Sequence, residues 1–242
     1  MKIKDAVIVI TGASSGIGAA TARAAVRAGA KVAVLARREA RLTALGQELN
    51  NALPLRCDVT CPDDVARAVR RTLEHFGRID ALINNAGQGL HANIEAIADD
   101  AFTALLDLNL VAPLRMMQAV IPVMRQQGAG SIIHVSSGAT LGTYAGSAAY
   151  TSAKAGLNML SRVARLELAP AGIVVSTLYP FVTQTEFYQA VKAGQAEASA
   201  QEQAIAAIAH TPEQVAEALL ALLESGEAER DLVPEAYGGS QR

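Results

Sequence analysis

The sequence contains few cysteines and no cluster of basic residues, and each shortage argues against a class of protein. Only three residues separate its two cysteines, Cys57 and Cys61. Two further metal ligands at a suitable spacing are missing, so we expect no zinc site. Free, partly buried thiols are typical of a reducing compartment. The formal net charge is -2, and the lack of a basic stripe argues against a nucleic-acid partner.

The sequence also lacks a leader segment and a long uninterrupted hydrophobic run. Residues 1–5 lead into a strand-like segment without an apolar stretch or a cleavage site. We therefore expect no signal peptide and a cytoplasmic protein. The most hydrophobic region, from Leu105 to Met124, is broken by an aspartate, an asparagine, a proline and an arginine, so we expect no membrane-spanning helix.

The chain has 242 residues, of which 51% are hydrophobic, enough for the core of one large α/β domain. Short apolar runs alternate with helical segments, which predicts a Rossmann-type, doubly wound parallel sheet of about seven strands with helices on both faces. No repeat or linker divides the chain, so we expect one domain over residues 1–242. The expected strands are 6–10, 31–35, 53–57, 79–83, 131–135, 173–178 and, at an edge because of its proline, 231–234.

A glycine-rich turn, Thr11–Gly18, follows the first expected strand and precedes an alanine-rich helical stretch. Its glycines allow the backbone to approach a pyrophosphate, and the helix N-terminus offers free N–H groups. This order favours a phosphate cradle; the alternative is a tight connection without a ligand. Ligands of such sheets bind beyond the carboxyl ends of the strands, where the turn, Asp58 and residues 84–87 would converge.

The end of the second expected strand carries arginines where many dinucleotide folds carry an acid. That acid binds the 2′-hydroxyl of the ribose, but this chain has Arg37 and Arg38. A guanidinium grips a phosphate through charge-assisted hydrogen bonds, whereas a carboxylate would repel it. We therefore expect NADP(H) rather than NAD(H). The alternative is that both arginines are solvated residues at the start of the helix 39–50.

Tyr150 and Lys154 lie four residues apart, on one face of a predicted helix. A phenol, with an ordinary pKa of about 10, is a weak acid or base near neutrality, and a nearby ammonium would lower that pKa. The pair then suits acid–base catalysis. For the pair alone, the favoured alternative is a plain helix surface. For Asn109 and His134 the simplest interpretation is structural, with Asn109 paired to a local backbone group.

Together these motifs resemble the short-chain dehydrogenase/reductase family over residues 5 to about 185. They stand in the family's order and at its spacings, and jointly they are far more specific than any one of them. The matching motifs are Thr11-Gly12-x-x-x-Gly16-Ile17-Gly18, Asn84-Asn85-Ala86-Gly87, Asn109, Ser137 and Tyr150-x-x-x-Lys154.

The resemblance implies hydride transfer between C4 of a nicotinamide and a ketone, an aldehyde or a secondary alcohol. It implies Tyr150 as the general acid–base, and Lys154 as the residue that lowers the pKa of that phenol and holds the nicotinamide ribose. It places Ser137 on the substrate oxygen and has Asn109 hold a relay water. The cofactor-binding residues that it implies are Gly12, Ser14, Ser15, Gly16, Ile17, Gly18, Arg37, Arg38, Asp58, Val59, Asn85, Ala86, Gly87, Tyr150, Lys154, Pro180, Thr183 and Thr185.

Two features depart from the family pattern. Phe181 stands where the family has a glycine after the sixth strand, so we expect it to reshape the nicotinamide or substrate pocket. The C-terminal strand keeps only a trace of the family's usual ending, which weakens any oligomer contact built from it. The family implies a homodimer or homotetramer formed through the helices that carry Asn109 and Tyr150.

The segment 186–210 follows the sixth strand on the ligand side of the sheet. We interpret it as a helical lid over the substrate; the alternative is an ordinary amphipathic surface helix. The expected pocket is mostly apolar and favours a hydrophobic carbonyl. Its expected lining is Gln88, Leu90, Ala139, Leu141, Tyr144, Phe181, Phe187 and Tyr188.

The leading interpretation is an NADPH-dependent reductase of a ketone or aldehyde, or the reverse oxidation of an alcohol. One alternative is reduction of a carrier-bound 3-oxoacyl thioester, for which Arg115 and Arg125 are candidates for a basic docking patch. A second alternative is a non-catalytic NADP-binding regulatory protein. The complete set of Asn109, Ser137, Tyr150 and Lys154 argues against that alternative.

Overall fold

A computed structural model describes residues 1–187, 191, 193–194 and 206–241. Its strands are β1 (Val7–Thr11), β2 (Lys31–Ala36), β3 (Ala52–Arg56), β4 (Ala81–Asn84), β5 (Gly130–Val135), β6 (Ile173–Tyr179) and β7 (Glu229–Asp231). They form one parallel sheet in the order β3-β2-β1-β4-β5-β6-β7. The order reverses between β1 and β4, and this reversal opens a crevice at the carboxyl ends of those two strands.

Helices cover both faces of the sheet, which confirms the predicted Rossmann-type, doubly wound architecture. In the described residues the α-helices are α1 (Gly16–Arg27), α2 (Glu39–Glu48), α3 (Pro62–Phe76), α4 (Asp99–Leu106), α5 (Ala112–Gln127), α6 (Ala148–Leu168) and α7 (Pro212–Ser225). Buried residues of α1, α2 and α7 pack on one face, whereas those of α3, α5 and α6 pack on the other.

The central strands are largely apolar, as expected where helices bury both faces of a sheet. In β1, Ile8 and Ile10 belong to the core on the α1 side, whereas Val9 between them belongs to the core on the α3 side. All three are at most 1% exposed. The continuous apolar runs of the sequence therefore mark the strands that form the floor of the crevice.

Two elements differ from the sequence-based expectation. The last strand is Glu229–Asp231 rather than 231–234, because the carboxylate of Asp231 accepts hydrogen bonds from the N–H groups of Val233 and Ser240 and turns the chain away from the sheet. The expected helical region 99–127 is continuous, but its middle turn, Asp107–Val111, is π-helical. Such turns occur often at functional sites.

The helical region Asp99–Gln127 is also long and apolar enough to cross a membrane, judged by length and composition alone. From the sequence we expect no such stretch. In the fold, Met116, Val120 and Met124 of this region are fully buried in the core beneath the sheet. The core helix of a globular protein has the same composition, and this packing accounts for the hydrophobic run.

Candidate active site

The glycine-rich turn after β1 touches the loop that follows β4. Gly12 and Gly16 have φ angles of +67° and +52°, in the left-handed region that side chains rarely adopt. A Cβ atom at Gly12 would lie only 2.9 Å from the Cα atom of Ala86. Ser15 precedes α1, but its side chain does not cap the helix. The N–H groups of the first turn therefore keep no side-chain cap and can bind an anion.

Thr11 and Asn85 lock the two loops together. The hydroxyl oxygen of Thr11 accepts hydrogen bonds from the N–H groups of Asn85 and Ala86, each at 3.0 Å. The side-chain amide of Asn85 donates to the carbonyl oxygen of Thr11 at 2.9 Å. Because these bonds join the ends of β1 and β4, they fix both walls of the crevice where the strand order reverses.

Ser137 begins the one-turn 3₁₀ helix Gly138–Leu141, directly after β5. The hydroxyl of the preceding residue, Ser136, donates to the side-chain oxygen of Asn158, and the amide nitrogen of Asn158 donates to the hydroxyl of Thr140 at 3.2 Å. Asn158 belongs to α6. These two bonds therefore fix the position of the Ser137 loop relative to that helix.

Helix α6 carries Tyr150 and Lys154 one turn apart, beside the end of β5. Lys154 is 4% exposed, and its Nζ donates to the carbonyl oxygen of Val135 at 2.9 Å. The same Nζ lies 5.9 Å from the centre of the Tyr150 ring. Tyr150 is half-buried, and the side chain of Ser137 lies close enough to lower the pKa of its phenol. A phenol, an ammonium and a serine hydroxyl thus meet at the end of one strand.

Burial shifts the pKa values at this position. It raises the pKa of Tyr150 to about 12, and the side chain of Ser137 offsets that rise only in part. Burial also lowers the pKa of Lys154 to about 8. The ammonium of Lys154 donates a hydrogen bond to the backbone carbonyl of Val135, and the pKa of the Tyr150 phenol stays above its ordinary value. In this structure burial dominates the pKa of Tyr150, so the expectation that Lys154 lowers that pKa stays a prediction.

Asn109 is fully buried in the π-helical turn between α4 and α5. Its side-chain nitrogen donates to the carbonyl of Gln88 at 2.8 Å, and its side-chain oxygen accepts from the N–H of Gln88 at 3.2 Å. The partner is a backbone group, but not a local one, since it lies 21 residues away. A Cβ atom at Gly87 would lie 2.8 Å from this oxygen and 3.5 Å from Nζ of Lys154, so both side chains adjoin the same glycine.

These elements enclose one cavity of about 530 Å³, a volume typical of a site for a small ligand. Gly18 and Asn109 do not line the cavity but lie directly behind its wall. Gly18 packs against the glycine-rich turn, since a Cβ atom there would lie 2.5 Å from the carbonyl oxygen of Gly12. The catalytic candidates Ser137, Tyr150 and Lys154 line the cavity. The predicted cofactor residues in the wall are Gly12, Ser14, Ser15, Gly16, Ile17, Arg37, Arg38, Asp58, Val59, Asn85, Ala86, Gly87, Tyr150, Lys154, Pro180, Thr183 and Thr185.

The side of the cavity next to β2 and β3 is charged. The guanidinium of Arg38 donates to the hydroxyl of Ser14 at 3.0 Å, whereas Arg37 forms no hydrogen bond or ion pair with the described residues and is exposed. Partial burial raises the pKa of Asp58, but hydrogen bonds from Thr60 and the charge of Arg37 outweigh it, and the pKa lies below its usual value. Arg37, Arg38 and Asp58 therefore give this side both positive and negative charge.

In the described residues the two cysteines and His134 do not belong to a cluster of potential metal ligands. Cys57 and Cys61 are free, and burial raises the pKa of the Cys57 thiol to about 12. Burial lowers the pKa of His134 to about 3, and its Nδ1 lies 3.3 Å from the side-chain nitrogen of Asn84. In the part of the chain that the structure describes, no group of three or more His, Cys, Asp or Glu residues could hold a metal ion.

The side of the cavity next to β5 and β6 is apolar and aromatic. The ring of Phe181 lies 5.0 Å from that of Tyr237, and the ring of Tyr150 lies 5.7 Å from that of Phe187. Of the expected pocket residues, the wall contains Gln88, Leu90, Ala139, Tyr144, Phe181 and Phe187. Leu141 is 38% exposed and does not line the cavity, so that expectation is wrong. Tyr188 and most of the expected lid 186–210 lie outside the described residues.

The C-terminal loop, residues 232–241, completes the apolar wall with Val233 and Tyr237. The carboxylate of Asp231 holds this loop through the N–H groups of Val233 and Ser240, at 3.1 and 3.0 Å, and through the hydroxyl of Ser240 at 2.7 Å. A Cβ atom at Gly138 would collide with the side chain of Val233. The loop therefore packs closely on the turn that carries Ser137.

The resemblance implies a carbonyl substrate; on that expectation, replacing Tyr237 with alanine should lower kcat/KM for a bulky aromatic ketone by roughly two- to tenfold, since an aromatic contact is worth about 0.5–1.5 kcal/mol beyond its buried area. A small aliphatic ketone should be affected less because it does not reach this wall. Steady-state kinetics with both substrates would measure the difference. Tyr237→Phe retains the ring and is the control. Equal losses for both ketones would contradict the assignment of this wall to the substrate.

A family model described as short chain dehydrogenase matches residues 6–196 of the sequence. The chain belongs to the short-chain dehydrogenase/reductase family. Its membership makes it an oxidoreductase that uses a nicotinamide cofactor and a small-molecule substrate. The family motifs quoted from the sequence are those that meet around the cavity, with Gly18 and Asn109 directly behind its wall.

Curated relatives and solved structures of the family are similar over most of the chain. An uncharacterized oxidoreductase of Staphylococcus epidermidis is 31% identical over 195 residues, which are 80% of this chain and 85% of that protein. An uncharacterized oxidoreductase of Bacillus subtilis is 38% identical over 188 residues, 76% and 73% of the two chains. A 3-ketoacyl-(acyl-carrier-protein) reductase from Brucella melitensis, complexed with NADH, is 26% identical with a TM-score of 0.87 and coverage of 95% and 97%. A short-chain type dehydrogenase/reductase from Mycobacterium marinum is 28% identical, with a TM-score of 0.87 and coverage of 98% and 96%.

Sequence reasoning missed several residues around the cavity of this short-chain dehydrogenase/reductase. His91, Val233, Tyr237 and Glu186 line it, and Arg41 adjoins it through Glu186. None of them belongs to a motif: the four lining residues come from loops that meet only in the folded chain, and Arg41 lies on α2. The one available signal was Arg41, which lies one helical turn after Arg37 and Arg38.

Proposed function

We propose that this short-chain dehydrogenase/reductase reduces a hydrophobic ketone or aldehyde with NADPH, or oxidises the corresponding alcohol with NADP⁺. One observation carries the proposal. Tyr150, Ser137 and Lys154 line the same cavity as a glycine-rich turn with an uncapped helix N-terminus and an arginine pair. The aromatic wall next to this trio supports an apolar substrate.

The residues present fit a nicotinamide dinucleotide. The turn at Gly12 packs too closely on the loop after β4 to carry a side chain, and the first-turn amides of α1 suit a pyrophosphate. Arg37 and Arg38 suit a 2′-phosphate, and Asp58 with Val59 would frame the adenine. When bound, the nicotinamide supplies or accepts the hydride.

Tyr150 would donate a proton to the carbonyl oxygen during reduction. Its pKa of about 12 keeps the phenol protonated at neutral pH, which is the state that reduction requires. Ser137 would donate a hydrogen bond to the same oxygen and stabilise the negative charge that develops there. Lys154, with a pKa of about 8, is mostly charged at neutral pH and would stabilise the tyrosinate that remains.

Asn109 would position the loop after β4 rather than touch the substrate. Its two hydrogen bonds to Gln88 hold the stretch that includes Gly87 against Lys154. A water held at this point could return a proton to Lys154 from solvent. This relay stays a proposal that rests on the resemblance.

The thioester alternative has weaker support from the charges around the site. Arg115, a candidate for a docking patch, donates to the carbonyl of Val59 at 3.1 Å and pairs with Asp107 at 3.4 Å. A guanidinium engaged in this way is less available to a carrier protein. The similar structure from Brucella melitensis is named as such a reductase, so a 3-oxoacyl thioester belongs in any substrate panel.

We also propose that the protein forms a homo-oligomer through α6. Met159, Val163 and Leu166 are 57%, 44% and 77% exposed on this helix, at spacings that place them along one side of it. Burying these side chains against a second copy would remove an exposed apolar stripe. A homodimer is the simplest assembly that does so.

Replacing Arg37 with aspartate should lower the preference for NADPH over NADH by about ten- to a hundredfold, since a hydrogen bond to a charged group is worth about 1.5–3 kcal/mol. The measured quantity is the ratio of kcat/KM values with the two cofactors. Arg71→Asp makes the same charge change at an exposed position of α3 and should leave the ratio unchanged. An unaltered ratio in Arg37→Asp would show that this arginine does not read the 2′-phosphate.

A further inference from the structure

A cluster of two arginines, two serines and one glutamate lies at the mouth of the cavity, next to β2. The guanidinium of Arg38 donates to the hydroxyls of Ser14 and Ser15, at 3.0 and 2.5 Å, and to the carboxylate of Glu186 at 3.0 Å. Arg41 donates to both oxygens of the same carboxylate, at 2.9 and 2.7 Å. Two guanidinium groups therefore share one anion.

The donors around this carboxylate are those that bind phosphate in proteins. Guanidinium groups and hydroxyls suit phosphate because each offers N–H or O–H donors to its oxygens. Ser14, Ser15, Arg38 and Glu186 all line the cavity. Glu186 alone comes from the loop after β6, 148 residues beyond Arg38, so the chain folds back to supply the anion.

We propose that Glu186 occupies the 2′-phosphate subsite of NADP(H) as an internal anion, that the 2′-phosphate displaces it, and that Arg41 is a further ligand of that phosphate. The inference rests on the proposed NADP(H) dependence and extends it to two residues outside the family motifs. Glu186 then sets the strength of cofactor binding by competing for Arg38 and Arg41.

The strength of these ion pairs favours displacement of Glu186 by a 2′-phosphate and not by a 2′-hydroxyl. Arg38, Arg41 and Glu186 have 47%, 47% and 48% of their side chains exposed, and ion pairs at this exposure are weak. A 2′-phosphate carries more charge than one carboxylate and has more acceptor oxygens. A ribose 2′-hydroxyl carries no charge, so it would leave Glu186 bound to its arginines.

Binding of 5′-AMP and adenosine 2′,5′-bisphosphate, two probes that differ only in the 2′-phosphate, tests this competition by calorimetry. Glu186→Gln should bind the bisphosphate roughly three- to tenfold more tightly than the wild type, because two weak competing ion pairs are lost. Its affinity for 5′-AMP should not change. Arg41→Ala should bind the bisphosphate more weakly than the wild type.

Glu48→Gln is the matched control, since Glu48 forms a similar exposed ion pair with Arg23 at 2.7 Å outside the cavity. It should leave both affinities unchanged. If the wild type prefers the bisphosphate but Glu186→Gln does not bind it more tightly, the proposed displacement of Glu186 is wrong while the proposed NADP(H) dependence stands. If neither protein prefers the bisphosphate, both proposals are wrong. If Glu186→Gln weakens 5′-AMP, Glu186 binds a ribose hydroxyl and the inference is overturned.

Discussion

Replacing Tyr150 with phenylalanine is expected to slow carbonyl reduction by roughly 10²- to 10⁴-fold, the usual contribution of general acid catalysis. The substitution removes only the phenol oxygen. The ring keeps its place 5.7 Å from the ring of Phe187, so the cavity should keep its shape. NADPH should still bind, because the glycine-rich turn and the arginines are untouched. Steady-state rates of NADPH oxidation and the dissociation constant of NADPH would measure the two effects separately.

Tyr144→Phe is the matched control for this prediction. Tyr144 also lines the cavity, and its hydroxyl makes only a long contact of 3.5 Å with the carbonyl of Tyr237. Its loss should change the rate by no more than about tenfold, since a neutral hydrogen bond contributes about 0.5–1.5 kcal/mol. Full activity in Tyr150→Phe would refute the acid role, and equal losses in both variants would point to a packing effect.

Replacing Lys154 with methionine is expected to remove most of the activity and to change how stability depends on pH. Burial lowers the pKa of Lys154 from 10.5 to about 8, so the folded state disfavours the charged form. The destabilisation of the folded state by the buried ammonium is fully present below about pH 8 and disappears as the pH rises toward 10.5. The free energy of unfolding of Lys154→Met minus that of the wild type should therefore fall by about 2–3 kcal/mol between pH 7 and pH 10.5.

Urea unfolding at several pH values would measure this difference. Tyr150 is present in both proteins, so its own titration does not enter the comparison. Lys31→Met removes an exposed lysine and is the control for a general change of charge. A difference between Lys154→Met and the wild type that stays constant with pH would show that burial does not destabilise the ammonium.

The sheet could be predicted from the sequence because each central strand is an apolar run between turn residues. Val9 is buried as deeply as its neighbours Ile8 and Ile10, and this pattern is typical of a parallel sheet covered on both faces. The last strand was misplaced by about two residues because its end is fixed by a hydrogen-bonded side chain. Asp231 bonds to Ser240, nine residues later, and hydrophobic patterning carries no sign of such a contact.

The catalytic candidates could be found because their spacing is local, but their electrostatics could not. Tyr150 and Lys154 share a helix face at any i, i+4 spacing. The partner of Lys154 is the carbonyl of Val135, 19 residues earlier, and burial rather than the ammonium dominates the pKa of Tyr150. Burial depends on the packing of whole elements, which the residue pattern of one helix does not report.

The charged mouth of the cavity likewise could be predicted only in part from the sequence. Arg38 was predicted from its place after the second strand, but Glu186 lies 148 residues further along the chain. Its partners Arg38 and Arg41 meet it only because the carboxyl ends of β2 and β6 open on one crevice. If Glu186 competes with the 2′-phosphate as proposed, cofactor preference depends on a contact between distant parts of the chain as well as on the local motif.

The most direct test of the proposed chemistry is to follow deuterium from the C4 position of labelled NADPH during reduction of a panel of hydrophobic ketones and aldehydes. The proposed mechanism predicts deuterium on the carbinol carbon of the product, in amounts equal to the NADPH consumed, with Tyr150→Phe forming little product. Binding of NADPH without transfer of deuterium to any carbonyl of the panel, a 3-oxoacyl thioester included, would contradict it and favour a non-catalytic cofactor-binding role.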